Sequence, residues 1–339
     1  MDKEPQDASK ATRQAAGSWK RSKKLFVALA VLAALIIIGL AVGLGVGLTR
    51  GKDDDGNDGG DGQQTQPPGS GVHRSSIYKP KVGTTWQIIL SKPIKLDDGV
   101  NVTPKTEVYD LDMFDNDAAT FVKLYNAGIK VICYFSAGTY EEWRSDKDKF
   151  DQADLGKPLD DWPGERWLNV SSPTVRDIMK ERIKLAASKG CLAIDPDNVD
   201  GYQNDNGLGL TSEQATDFVR FLANEAASYN MSTGLKNAAD IIDDVMDVVS
   251  FSVNEQCVEQ GECQSFAPFI KAGKPVFNIE YPGDAGASSG VRASVSGDIC
   301  SRSGKSQGAE NFSTVIKKMK LDGWVEYCDK KVFTTDILS

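Results

Sequence analysis

A chain of 339 residues with one histidine, six cysteines and a formal net charge of −9 can hold one large domain plus attachments, and its composition closes off several chemistries. The one histidine, His73, falls in a polar, glycine-containing stretch, so a Ser-His-Asp relay, a Cys-His pair or a histidine zinc site would lack its central residue. The acidic balance argues against a nucleic-acid partner and for a cationic one, although solubility alone also accounts for an acidic surface.

Residues 1–24 carry seven Lys or Arg against three acidic residues. Residues 25–48, "LFVALAVLAALIIIGLAVGLGVGL", contain no charge; at ~1.5 Å per helical residue the run reaches roughly 36 Å, enough for a bilayer core of ~30 Å. A cleaved signal peptide would have an apolar core of only about 7–15 residues, so the expectation is a retained transmembrane helix in contact with the lipid bilayer. The preceding positive charge predicts a cytoplasmic tail at 1–24 and a single-pass type II protein of the plasma membrane, its remaining chain extracellular. Residues 49–82 begin "TRGKDDDGNDGGDGQQTQPPGSG" and read as a flexible linker, because so little apolar surface cannot offset chain entropy.

The remaining domain, 83–339, holds 27 basic and 40 acidic side chains. All six cysteines and the four Asn-X-Ser/Thr triplets at Asn101, Asn169, Asn230 and Asn311 lie beyond the apolar run, in agreement with export. Fifteen pairings of six cysteines are possible. Only Cys257 with Cys263 is close in sequence, and that pair is the expected disulfide; for Cys133, inside an apolar strand, a free buried thiol is the alternative to pairing.

Within the domain, β-branched and aromatic runs alternate with amphipathic helices. Strands are expected at 84–90, 107–114, 130–137, 191–197, 231–237, 248–256, 274–282 and 323–328. Ser172-Pro173 starts a helix that Gly190 ends, and Thr211 with Gln214 forms a capping box ahead of the apolar face Ala215, Phe218, Val219, Leu222 and Ala226. Eight strand-helix repeats predict an α/β fold of the (β/α)8 TIM-barrel type. A doubly wound open sheet would want a glycine-rich turn after its first strand, and "LSKPIKLDDG" is not one.

In such a barrel the carboxyl ends of the strands carry the site. The polar residues there are Asp110 and Asp112, Tyr134 and Ser136, Asp195 and Asp197, Lys236 and Asn237, Glu255, and Glu280 with Tyr281. No phosphate-binding loop or CxxC pair occurs, and "DPDNVDG" misses the calcium-loop pattern at Val199. The expectation is therefore no cofactor and no metal. Two carboxyl groups over a cleft are what glycoside hydrolysis needs, one to protonate the leaving oxygen and one to attack or to activate water. Glu255, behind "VVSFSV", has the apolar surroundings that raise an acid's pKa. Trp86, Tyr134, Tyr202 and Tyr281 are candidates for stacking on sugar rings, or else packing residues.

The motifs "VYDLDMF", "VICYFSAG", "AIDPDNVDGY", "GLKN" and "SVNEQC", in this order, resemble glycoside hydrolase family 114, the endo-α-1,4-polygalactosaminidases, and within it the membrane-anchored fungal members that act on galactosaminogalactan. The resemblance spans about residues 84–330 and implies a barrel that cuts α-1,4-linked galactosamine internally, with Asp197 as nucleophile and Glu255 as acid/base. Deacetylated galactosamine is cationic, which gives the acidic domain a natural polysaccharide partner. Substrate contacts are expected from Trp86, Asp112, Tyr134, Asp195, Asp200, Lys236, Asn237, Glu280 and Tyr281, with Lys236 paired to a carboxylate. The rival reading is a membrane-tethered, non-catalytic lectin-like barrel. Oligomeric state is left open.

Overall fold

The computed structural model describes residues 71–97 and 100–339. The expected tail, transmembrane helix and most of the linker lie outside the described residues. Among the described residues no helix is long and apolar enough to cross a membrane.

The strands in chain order are β1 (Trp86–Ile89), β2 (Val108–Asp112), β3 (Lys130–Ser136), β4 (Thr139–Glu141), β5 (Leu155–Pro158), β6 (Glu165–Leu168), β7 (Ala193–Asp197), β8 (Ser232–Lys236), β9 (Phe251–Glu255), β10 (Val276–Glu280), β11 (Ser313–Ile316), β12 (Trp324–Tyr327) and β13 (Val332–Thr334). The helices are α1 (Ala118–Asn126), α2 (Pro173–Lys189), α3 (Ser212–Ser228), α4 (Ile242–Val245), α5 (Cys257–Gln260), α6 (Ala267–Lys271) and α7 (Ala293–Cys300). Ten strands form one sheet in the order β1-β2-β3-β7-β8-β9-β10-β11-β12-β13. The first eight of these run parallel and the last two antiparallel.

The sheet curls until its first strand meets its far end. Leu90 N–H donates to Leu321 O at 2.9 Å, Trp86 Nε1 to Ser313 O at 2.7 Å, and Tyr327 Oη to Trp86 O at 2.8 Å. The result is a TIM-like α/β fold. Seven of the eight expected strands are the parallel ones, but the run 323–328 is not the eighth. That place belongs to Ser313–Ile316. The short link from Ile316 to Trp324 explains the reversal, since a parallel crossover needs roughly a dozen residues or more.

Alternation along each strand sorts the core into two layers. Trp86, Ile88, Val108, Ile132, Ala193, Phe251, Val253, Phe277 and Ile279 fill the concave interior. Residues of opposite parity, such as Leu111, Val131, Ile194 and Leu235, meet the helices through Phe121, Ile178, Phe218 and Leu222. Helix punctuation follows the sequence: Pro173 opens α2, Gly190 closes it at φ 101°, and Thr211 with Gln214 makes the capping box of α3. The Ser172 hydroxyl turns away from α2 and donates to Asp154 Oδ2.

A three-stranded antiparallel sheet, β4-β6-β5, is inserted between β3 and β7. It is fastened by buried ion pairs in which Arg144 bridges Asp112 (2.6 Å) and Glu141 (2.8 Å), and by Arg182 pairing with Asp146 (2.8 Å).

The packed domain begins about ten residues before the expected position 83. Val72 is buried, and the Arg74 guanidinium donates to the carbonyls of Ala187, Cys191 and Tyr229 at 3.0–3.2 Å. His73 is exposed. All six cysteines are paired, as Cys133–Cys191, Cys257–Cys263 and Cys300–Cys328. Cys133 is therefore not a free thiol: its parity on β3 turns it outward, toward Cys191 at the start of the next parallel run.

Candidate active site

Strands β7, β8 and β9 end side by side, and each delivers a charged residue at its carboxyl end. These are Asp197, Lys236 and Glu255. The next residue in every case, Asn198 (φ 62°), Asn237 (φ 49°) and Gln256 (φ 58°), adopts left-handed backbone. Non-glycine residues there are uncommon and cost free energy, and such positions gather at functional sites. The chain turns off sharply while the preceding side chain stays directed into the interior.

Lys236 Nζ stands between the two carboxylates, 2.9 Å from Asp197 Oδ2 and 3.0 Å from Glu255 Oε2. Burial works against its proton, but Asp197, Glu255 and Asp195 together hold its pKa well above the usual lysine value. The lysine thus pairs with both carboxylates, where sequence reasoning expected one. Asp197 also accepts from Tyr134 Oη at 2.9 Å and from the Asn198 N–H at 2.6 Å. Glu255 accepts from Tyr281 Oη at 2.5 Å and from Asn237 Nδ2 at 3.3 Å.

The resting charge of Glu255 differs from expectation. Burial would raise its pKa, but Lys236 and the Tyr281 and Asn237 bonds outweigh burial and hold the carboxyl below the ordinary glutamate value. The apolar run behind Glu255 packs its backbone and leaves its carboxyl among donors, so the raised acid inferred from "VVSFSV" is not found.

The position of Asp197 depends on a close backbone approach. Ala137 and Gly138, just after β3, both donate to Asp197 O, at 2.9 and 3.0 Å. A Cβ on Gly138 would fall 1.7 Å from Asn198 O. Only glycine fits there.

These groups line a cleft of about 1000 Å³ at the carboxyl end of the sheet, together with Asp112, Asp200 and Glu165. Burial, then the nearby Asp197, raises Asp200 to about 6. Burial raises Glu165 to about 7, against the bond from Thr139 Oγ1 at 2.7 Å. Asp112 is at the rim, but both its oxygens are taken by Arg144. Among the described residues no group of three or more His, Cys, Asp or Glu could hold a metal ion.

Three of the expected contacts lie elsewhere. Trp86 starts β1 instead of ending it, so its ring sits at the amino end of the interior against Phe277, centroids 4.8 Å apart. Glu280 is one residue out of phase with Ile279 and Tyr281. It therefore points to the helix side, where Oε1 accepts from the Val258 N–H at 2.8 Å and caps α5. Asp195 has the right parity but is wholly buried below Asp197, beside Asp110.

Sequence reasoning missed Trp143 and Trp162. They are 53 % and 50 % exposed and line the cleft from the inserted sheet. Their signal was composition: "EEWRSD" and "DDWPGE" place a large aromatic ring among charges with no apolar partner in phase.

The sequence profile of glycoside-hydrolase family GH114 matches residues 69–333. The chain belongs to family GH114. A crystal structure of Aspergillus fumigatus Ega3 in complex with galactosamine is 51 % identical to this GH114 chain, covers 76 % of it and 100 % of its own length, and superposes with a TM-score of 0.69. The glycoside hydrolase domain of PelA from Pseudomonas aeruginosa shares the fold at 12 % identity, covering 70 % of this chain and 95 % of its own, with a TM-score of 0.50. Among curated proteins none matches. The protein is a glycoside hydrolase, and the carboxylate-lined cleft is its candidate catalytic centre.

Proposed function

We propose that this GH114 enzyme cuts α-1,4-linked galactosamine stretches of a cationic exopolysaccharide internally and with retention, Asp197 acting as nucleophile and Glu255 as acid/base. The observation that carries this reading is the single lysine nitrogen that holds both carboxylates. Oxygens bound to one nitrogen at 2.9 and 3.0 Å stand no more than about 6 Å apart, which is short of the ~6.5–9.5 Å of inverting pairs. The galactosamine in the Ega3 relative supports the sugar, and the anionic residues around the cleft suit an ammonium substrate. The half-exposed Trp143 and Trp162 on the cleft wall support binding of a long chain, as internal cleavage needs.

In the first step Asp197 attacks the anomeric carbon while Glu255 protonates the leaving oxygen. In the second, Glu255 takes a proton from water, which attacks the same carbon and breaks its bond to Asp197, releasing the carboxylate. Tyr134 and Tyr281 remain neutral donors, because burial and then the adjacent carboxylates push their pKa values far up. Since Glu255 is held ionised at rest, mildly acidic pH increases the share of enzyme ready for the first step. The apolar run 25–48 adds the proposal that the enzyme works from the cell surface, tethered as a type II protein.

Asp197→Asn and Glu255→Gln should each lower release of oligosaccharides from deacetylated galactosamine polymer on the order of 10³-fold, with the far-UV spectrum unchanged. Full activity in either variant would remove that residue from its role. Binding by the wild type without any rise in reducing ends would favour the lectin-like alternative. Proton NMR of the first product decides stereochemistry: the α-anomer means retention and the β-anomer inversion.

A further inference from the structure

The inserted sheet reaches the nucleophile through a chain of three side chains. Glu165, the first residue of β6, lines the cleft, and its Oε2 accepts from Thr139 Oγ1 of β4 at 2.7 Å. Thr139 Oγ1 is in hydrogen-bond contact with Ser136 Oγ at the end of β3. Asn198 Nδ2 reaches both hydroxyls, Ser136 Oγ at 2.9 Å and Thr139 Oγ1 at 3.3 Å. The Asn198 backbone N–H, in turn, donates to Asp197 Oδ1 at 2.6 Å. Ser136 and Thr139 are buried, and the Ser136 carbonyl is itself held by Arg182 Nη1 at 2.6 Å.

Each hydroxyl has one hydrogen to give and two lone pairs to fill. Thr139 gives its hydrogen to Glu165, so the contact between Ser136 and Thr139 is made by the hydrogen of Ser136. The remaining lone pairs are filled by the Thr139 N–H, which donates to Ser136 Oγ at 3.2 Å, and by the two hydrogens of Asn198 Nδ2. Nothing is left over. The Glu165 carboxyl thereby sets the direction of both hydroxyls, and they decide which end of the Asn198 amide turns inward. We propose that Glu165 is a positioning residue for Asp197: it orients Thr139 and Ser136, which tether the Asn198 side chain and so hold in place the left-handed turn whose N–H grips the nucleophile. This inference rests on the proposed role of Asp197.

Without an acceptor at position 165, the Thr139 hydrogen turns to Ser136, and the Ser136 hydrogen is then aimed at the Asn198 amide, donor against donor. Inverting the amide only sets its oxygen against the Thr139 oxygen. The side chain is therefore pushed off both hydroxyls. Because Asn198 sits at φ 62°, where its backbone costs free energy, the turn loses a tether that it needs. Asp197 keeps its bonds to Tyr134 and Lys236, so the displacement is small and falls on the attack, not on substrate binding.

In the full-length enzyme, Glu165→Leu should lower kcat on a galactosamine oligomer about tenfold with KM near wild type. Glu165→Gln, which keeps an oxygen for Thr139, should recover most of that loss. Asn198→Gly keeps the left-handed turn and its N–H but not the tether. It should lower kcat to a similar extent, and the combined Glu165→Leu/Asn198→Gly variant no further. Losses that multiply in the double variant, or a Glu165→Gln as slow as Glu165→Leu, overturn the proposal. A raised KM at unchanged kcat in Glu165→Gln overturns it too, and makes Glu165 a carboxylate that binds the ammonium group of the sugar. If Glu165→Leu does not fold, Thr139→Val, which removes the hydroxyl and keeps the shape, takes its place in the same cycle. A crystal structure reads the tether independently of activity. The Asn198 side chain should be displaced from Ser136 in Glu165→Leu or Thr139→Val, and an unmoved side chain overturns the proposal. If Asp197→Asn proves fully active while that displacement is seen, the role of Asp197 fails and the tether stands.

Discussion

The curled sheet has a cavity at each end, and the two are built from different residues. The carboxyl-end cleft, about 1000 Å³, is lined by Asp197, Lys236, Glu255 and two tyrosines. The amino-end cavity, about 630 Å³, has an apolar floor of Trp86, Pro104, Ile299, Phe312 and Phe333 and a rim with Lys105, Arg302, Asp329 and Lys331. The amino-end cavity is also the smaller, but the informative contrast runs along each strand: interior positions early in a strand are apolar, as in Phe251 and Val253, and the last one, Glu255, is charged. Where strands run parallel, all their polar ends collect at one face, so charged groups from distant parts of the chain meet without any loop having to reach.

The largest way to break this contrast is at the apolar end. Trp86→Ala removes a buried ring from beside Phe277 and should cost about 3–5 kcal/mol of stability, while kcat per folded molecule stays near wild type. Denaturant melts together with active-site titration test this. A loss of kcat at unchanged stability would mean that the two ends are not separate.

Lys236→Met attacks the polar end. Without the ammonium, Glu255 keeps its burial and its like-charged neighbour, so its pKa rises and the basic limb of the pH profile should move up by about 1–3 units. Stability changes on the acid side as well. A carboxylate whose folded pKa lies below its unfolded ~4.3 stabilises the fold above that pH and loses this contribution as pH falls through the folded value. In Lys236→Met the folded pKa lies above the unfolded one, so protonation of Glu255 favours the fold and the acid-side drop in Tm should be shallower than in the wild type. An unshifted limb would deny the lysine its electrostatic role.

Gly138→Ala should lower kcat on the order of 100-fold by pushing Asn198 and, with it, Asp197 out of place. Steady-state kinetics beside a crystal structure of the variant would show both, and normal kcat would mean that the backbone yields without moving Asp197. The smallest effect is expected on the cleft wall. Trp143→Ala or Trp162→Ala should raise KM for long oligomers about tenfold and leave the shortest substrates little changed, as loss of one stacking surface implies. Equal loss on short and long substrates would place those rings at the bond being cut.

Most of this architecture can be read from the sequence because strand polarity and parity are local properties. Asp197 and Glu255 end apolar runs, and the Thr211–Gln214 box marks its helix without reference to anything distant. Parity also explains an error: Glu280 follows Ile279, whose side chain is interior, so simple counting sends Glu280 to the helix side. The position of Trp86 at the head of its strand is likewise visible in the sequence. Other features depend on tertiary partners. The strand Ser313–Ile316 is too short to show a period, and the bridge of Lys236 to Asp197 and Glu255 joins residues whose neighbourhood exists only once the strands have paired. Trp143 and Trp162 lie in an insertion that strand-end reasoning does not visit.

The segment that precedes β1 carries its own consequence. Arg74 gathers the Ala187 carbonyl in the last turn of α2, the Cys191 carbonyl and the Tyr229 carbonyl just past α3. A protease that released this domain in working order would have to cut before residue 72. A cut at 82, only a few residues further on, would carry away the guanidinium on which the ends of two helices converge, and the freed fragment would be a weaker enzyme for reasons remote from its cleft.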